Sequence, residues 1–196
     1  MSGGAPRSMR FSHVGLFCKS LESMVDFYTR AMGFVITDRG RLPHAELCFL
    51  SRDPAEHHQL VLVTGRPEGL ENRIVNQISF RVDSLEELLA FHAGLPLDEV
   101  SEIDPVIHGI AWSLYFRDPE GNRLEVFADT DWYIHQPIKQ RLDTDMPAEQ
   151  IRQQTLAYCQ SQPGFRRMED WRREIAAEID ARLGPAAADA RQGERQ

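Results

Sequence analysis

Two stretches of the chain alternate apolar and polar residues, and each runs into a stretch with helical spacing. In residues 11–18, Val14, Leu16 and Cys18 fall on one side of an extended chain; in residues 76–82, Ile78, Phe80 and Val82 do the same. A period of two predicts a strand with one buried face. Behind the first, Leu21, Met24, Val25 and Tyr28 recur at the spacing of an amphipathic helix, and Leu85, Leu88, Leu89 and His92 do so behind the second. Ser20 and Ser84 stand where helix caps belong. Glu87 completes a capping box with Ser84, and Glu22 lies near the positive end of the first helix. Further strands are predicted over residues 45–51, 58–63, 111–117 and 123–128, with weaker edge strands over 35–39 and near Val100.

These elements repeat. At an offset of 64 residues, Ser20-Leu21-Glu22 falls on Ser84-Leu85-Glu86, Phe27 on Phe91 and Val14 on Ile78, while Asp53-Pro54 and Asp118-Pro119 stand 65 apart. A self-similar chain of this kind is two copies of one supersecondary unit sharing a core. Each copy reads strand–helix–strand–strand–strand. The expected fold is α+β: two tandem βαβββ modules, about 9–64 and 74–129, forming a curved half-barrel sheet over residues 9–130. Asp118-Pro119-Glu120-Gly121-Asn122 is a strong turn signal between the last two strands.

Beyond residue 130 the pattern becomes helical. Pro147 suits the first turn of a helix over residues 148–160, Gln162-Pro163-Gly164 breaks it, and a second helix is expected over 168–183. Residues 131–183 thus form a C-terminal helical extension, expected to pack on the sheet or across a dimer through Trp132, Tyr133 and Trp171. Residues 184–196 are rich in Ala, Arg and Gln and are expected to be disordered.

Strand parity also sorts chemistry. Opposite the helix-facing residues lie His13 and Gly15 in one half, Gln77, Ser79 and Arg81 in the other, and Arg123, Glu125 and Phe127 on the last strand. A curved sheet collects His13, Gln77 and Glu125 on its inner surface. Two neutral donors and one carboxylate, with positions left open, are the makings of a catalytic divalent-metal site.

Composition narrows the classes. Of the 196 residues, 22 are Lys or Arg and 30 are Asp or Glu, giving a formal charge of −8. That acidic balance argues against a nucleic-acid binder. No apolar run approaches the ~20 residues of a membrane span, and residues 1–10, with Gly3, Gly4 and Pro6, read as a loose leader without a secretory signal. Cys18, Cys48 and Cys159 are odd in number and widely spaced, which fits a reducing cytoplasm better than a disulfide framework.

With His13-Val14-Gly15-Leu16 opening one half and Asp118 to Glu125 closing the other, the chain resembles the vicinal oxygen chelate superfamily. That superfamily includes glyoxalase I, fosfomycin and bleomycin resistance proteins and extradiol ring-cleaving dioxygenases. The likeness covers about residues 9–130 and leans toward type I extradiol dioxygenases, such as catechol 2,3-dioxygenase and dihydroxybiphenyl dioxygenase. In those enzymes the metal is held by a His in the first strand, a His in the equivalent strand of the next module and a Glu in the closing strand. His13 and Glu125 match two of these positions; Gln77 stands where the second His belongs. An amide oxygen is a weaker, harder donor than imidazole, so metal affinity should fall and preference should shift.

The resemblance further implies that His58, in His57-His58-Gln59-Leu60, is the acid–base residue. His108, in Ile107-His108-Gly109, and Tyr115, in Trp112-Ser113-Leu114-Tyr115, would flank the substrate. The implied activity is a dioxygenase that opens a catechol-like vicinal diol with O₂ on Fe(II), with Mn, Zn or Ni as alternatives, working as a cytoplasmic homodimer. Two rivals stand. A glyoxalase-like isomerase or lyase needs a second carboxylate on the first module's closing strand, where Gln59, Leu60 and Val61 lie instead. A metal-free, drug-sequestering binding protein would use Phe17, Trp112, Tyr115 and Phe127 as cavity walls.

Overall fold

The computed structural model describes residues 11–67 and 75–183. The first module consists of β1 (Val14–Cys18), α1 (Leu21–Arg30), β2 (Val35–Leu42), β3 (Ala45–Ser51) and β4 (Leu60–Thr64). Its sheet runs β1-β4-β3-β2, with β1 parallel to β4 and the other pairs antiparallel. The second module repeats this with β5 (Ile78–Val82), α2 (Leu85–Ala93), β6 (Ser101–Ile107), β7 (Ala111–Arg117) and β8 (Arg123–Asp129). Here β5 lies parallel to β8, in the order β6-β7-β8-β5. The fold is therefore the expected mixed α+β arrangement of two βαβββ units with curved sheets, and the barrel is not closed.

Caps and faces follow the pattern of the sequence. Ser20 Oγ accepts from Ser23 N at 3.3 Å and Ser84 Oγ from Glu87 N at 3.2 Å, each satisfying a donor that the first helical turn leaves free. The Glu87 carboxylate reaches back to Asp83 N, one residue before the cap. Leu16 and Cys18 of β1 and Leu124 and Val126 of β8 are buried on the helix side, against Met24, Phe27, Tyr28 and Leu88. The strands begin later than the alternation does, so His13 and Gln77 each stand one residue ahead of a strand.

The turn between β7 and β8 ties the modules together. The Glu120 carboxylate accepts from Lys19 N at 2.7 Å and Ser20 N at 2.8 Å, at the positive end of α1. Arg66 donates to the same carboxylate. Tyr28 Oη donates to the buried Asp118 at 3.2 Å, and Phe34 meets Phe80 edge-on at 5.8 Å. The turn signal in the sequence is thus also the joint between the two copies.

The extension packs within the chain, through β9 (Trp132–Tyr133), β10 (Gln140–Arg141), α3 (Ala148–Gln160), β11 (Arg166–Arg167) and α4 (Met168–Leu183). β10 pairs with β6, and β11 with β9. Trp132 packs edge-on against Trp112, and Tyr133 stacks on Trp171 at 5.2 Å. Trp112 donates from Nε1 to Thr155 of α3 at 2.9 Å. This corrects one expectation: Trp112 does not share a cavity with Phe17, Tyr115 or Phe127 and lines a separate one beside α3. On β7 it has the opposite parity to Tyr115 and is buried under α3, where its indole N–H finds a partner. The expected leader and tail, and residues 68–74 between the modules, lie outside the described residues.

Gly109 is a fixed point of this packing. Its φ is +78°, and an added Cβ would collide with the Ile134 side chain, lying 2.9 Å from Cγ1. Its carbonyl accepts from Thr130 Oγ1 at 2.6 Å. Gly109→Ala is expected to destabilise the fold by about 1–3 kcal/mol through overpacking and left-handed strain, read as a lower urea midpoint at unchanged slope.

Candidate active site

The second module brings four of the six expected residues together. On β8, Glu125 pairs in register with Ser79 of β5 and Tyr115 of β7, so all three side chains share one face. Glu125 is only 7 % exposed, and its Oε2 accepts from Ser79 Oγ at 2.5 Å and Gln77 Nε2 at 2.8 Å. Tyr115 of β7 lies beside this carboxylate in register. His108 lies 2.9 Å from the Tyr115 hydroxyl through Nε2, and 2.5 Å from the Ile138 carbonyl through Nδ1. Two hydrogen-bonded groups, Gln77–Ser79–Glu125 and Tyr115–His108, thus stand side by side on adjacent strands.

The Tyr115–His108 pair has directional consequences. A carbonyl can only accept, so His108 Nδ1 carries a proton. In a neutral ring, Nε2 accepts the Tyr115 proton. In an imidazolium, Nε2–H donates to the phenol oxygen and leaves the phenol proton free for another acceptor. Burial, followed by the neighbouring Glu125, raises the Tyr115 pKa well above its ordinary value, so the phenol keeps its proton at neutral pH. The Arg123 guanidinium sits 4.1 Å above the Tyr115 ring and pulls the other way.

The first module holds the other two. His13 is exposed at the start of β1, and its ring lies 4.4 Å from that of His58, just ahead of β4. His58 Nδ1 is 2.9 Å from His57 Nδ1, and Phe49 of β3 flanks both rings. Burial and then the neighbouring His13 and His57 rings hold the His58 pKa below the usual imidazole value. Among the described residues, no hydrogen bond, ion pair or ring contact links His13 or His58 to either group. What the two modules share is a cleft of about 770 Å³, walled by Gly15 and Phe17 from β1 and by Ile78, Tyr115 and Arg123 from the second module. His13 has the parity of Gly15 and Phe17.

The donor types suit a divalent cation. Among the described residues no three His, Cys, Asp or Glu side chains gather into a metal-sized group, so a site here needs the Gln77 amide oxygen beside Glu125 and His13. Gln77 turns its NH₂ toward Glu125 and its Oε1 toward Asn76 at 3.3 Å. A half-turn of the amide presents the oxygen at the same place.

Sequence reasoning passed over Ser79 and Arg123 as site residues, although their parity put them on the right face. The sign to read was their register, opposite Glu125 and beside Tyr115.

Residues 10–126 match the Glyoxalase/Bleomycin resistance protein/Dioxygenase superfamily. The chain is 31% identical over 125 residues to biphenyl-2,3-diol 1,2-dioxygenase 2 of Rhodococcus globerulus, covering 61% of this chain and 63% of that protein. It is 28% identical over 142 residues to metapyrocatechase of a Pseudomonas strain, covering 67% and 44%. The chain therefore spans less than two thirds of the length of either relative. A solved glyoxylase/bleomycin resistance protein/dioxygenase domain from Frankia superposes with a TM-score of 0.55 at 22% identity, covering 63% of this chain and 93% of that one. That likeness is one of fold.

Proposed function

The chain belongs to the Glyoxalase/Bleomycin resistance protein/Dioxygenase superfamily, and from that premise we propose that it is a metal-dependent extradiol-type dioxygenase cleaving a catechol-like vicinal diol with O₂. The observation that carries this reading is the buried Glu125, bonded to Gln77 and Ser79, beside the Tyr115–His108 hydrogen bond, on a face where Tyr115 also walls a substrate-sized cleft. The names of two relatives, a biphenyl-diol dioxygenase and a metapyrocatechase, point the same way. The isomerase alternative lacks its second carboxylate, since β4 is Leu-Val-Leu-Val-Thr.

His13, Gln77 and Glu125 would hold the cation, Fe(II) in this reading. When bound, it supplies chelation of both diol oxygens and a path for electrons from ring to O₂. The chain's own residues do the proton work. His58, neutral because its pKa is depressed, takes a proton from the diol. Tyr115 keeps its own proton and, when a protonated His108 donates to the phenol oxygen, gives its hydrogen bond to negative charge developing on the substrate; His108 thereby orients the phenol. Phe17 and the Arg123-capped Tyr115 ring line the cleft and offer apolar faces to an aromatic substrate. The reading includes a cytoplasmic homodimer. The three cysteines are free and buried, and no described helix is long and apolar enough to cross a membrane.

Two variants test the assignment of roles. His58→Gln is expected to leave metal content unchanged and to slow turnover by roughly 10²- to 10⁴-fold, the usual range for a lost general base. In wild type, kcat/KM should fall with decreasing pH only below the ordinary imidazole range, because His58 must be protonated to lose its function. In His58→Gln that acid limb should vanish. Gln77→His should tighten Fe(II) binding and raise ring-cleavage activity. A His58→Gln protein that loses its metal, or a Gln77→His protein with unaltered affinity, would contradict these roles.

A further inference from the structure

The Glu125 face continues along β8 into a second cavity, of about 430 Å³. Its near end is the site already described, since Ser79, His108 and Glu125 line it. Its middle is apolar, formed by Ile110, Phe127, Met168 and Trp171, and its far end holds Arg81, Arg172 and Asp129. Glu125, Phe127 and Asp129 alternate along one face of β8, and Arg81 stands opposite Phe127. Each two-residue step is roughly 7 Å. Arg81 is therefore one such step from Glu125 and Asp129 two, so a phenyl ring with a short side chain spans from Glu125 to the Arg81 end.

The charges at that end do not cancel. Arg81 Nε and Arg172 Nη2 lie 3.5 and 3.0 Å from the same Asp129 oxygen, Oδ2. Glu125, the other acid lining the cavity, sits at the opposite end, bonded to Gln77 and Ser79. Two guanidiniums on one carboxylate leave a positive charge and several N–H donors over. Both arginine side chains are more than half exposed, so those donors are reachable; Arg81 also lies 5.1 Å from the centre of the Phe127 ring. Met168, Trp171 and Arg172 come from α4, beyond the segment that matches the family. The extension therefore supplies one of the two arginines and, in Met168 and Trp171, part of the apolar wall.

We propose that this cavity selects substrates carrying a carboxylate: aromatic diols with a short acidic side chain, the ring lying against Phe127 and Trp171 and the acid held by Arg81 and Arg172. A planar carboxylate suits guanidinium forks better than a point charge does. The diol half of this inference rests on the dioxygenase reading; the aromatic-acid half does not.

The test keeps them apart. Calorimetric titration of the full-length protein as isolated compares 3-phenylpropanoate with the uncharged 3-phenylpropanamide. The acid is expected to bind roughly ten- to a hundredfold more tightly, the range for hydrogen bonds between charged groups. The preference should disappear in the Arg81→Gln/Arg172→Gln protein and survive in Arg39→Gln, an arginine paired with Glu22 away from the cavity. In parallel, Fe(II)-loaded protein is assayed for kcat/KM on 3-(3,4-dihydroxyphenyl)propanoate and 4-methylcatechol. Preference for the acid in both assays supports the whole proposal. Selective binding of the phenyl acid without turnover of either diol keeps the arginine site and overturns the dioxygenase reading. Turnover of both diols with no preference, and equal binding of acid and amide, overturns the arginine site and leaves the dioxygenase standing.

Discussion

Alanine in place of Glu125 is expected to abolish metal binding and ring cleavage together. Glu125 is the one carboxylate in the proposed donor set, so its loss leaves a divalent cation facing a neutral imidazole and an amide. The same change removes the acceptor of the Ser79 hydroxyl and the Gln77 amide, which now donate to Glu125 Oε2 at 2.5 and 2.8 Å. Ser79 is exposed and Gln77 half-buried, so water can replace the acceptor and the stability cost should be only about 0.5–1.5 kcal/mol. Metal content after dialysis, oxygen uptake and a urea titration separate the two effects. Full metal retention with unaltered uptake would remove Glu125 from the site.

The second large effect is structural. Asp118→Ala is expected to destabilise the protein by about 1–3 kcal/mol, the cost of leaving buried donors without their acceptor. Asp118 is 2 % exposed and accepts from Asn122 Nδ2 at 2.7 Å, Asn122 N at 2.9 Å, Glu120 N at 3.0 Å and, across the module boundary, Tyr28 Oη at 3.2 Å. Burial raises its pKa against the pull of those hydrogen bonds. A carboxyl whose folded pKa is raised contributes most below its unfolded value, ~3.9, and loses that contribution as pH rises through the folded value. The stability gap between wild type and Asp118→Ala should therefore be wider at pH 3 than at pH 7. A gap that narrows in acid would mean that the hydrogen bonds outweigh the burial.

The modules and their helix caps were legible because every level of the sequence agrees. Alternation, capping serines and the offset of 64 all describe the same unit. Parity also put Gln77, Ser79 and Glu125 on one face, where register keeps them. What the pattern does not encode is which face of β7 the extension covers. Trp112 and Tyr115 are both large and aromatic; only the position of α3, set by long-range packing, decides that Trp112 is core and Tyr115 faces the cleft. For the same reason the Arg81–Asp129–Arg172 group escapes a reading of strands alone. Its third member arrives from a helix 43 residues further on.

The dioxygenase reading is tested most directly by oxygen stoichiometry. Protein loaded anaerobically with Fe(II) and freed of unbound metal is mixed with a catechol in an oxygen electrode, and the organic product is identified by mass. The expected result is one O₂ consumed per diol and a ring-opened product heavier by both oxygen atoms, with neither seen for Glu125→Ala. Fe(II) held stoichiometrically with no oxygen uptake on any diol, or uptake that yields only a quinone, would contradict it.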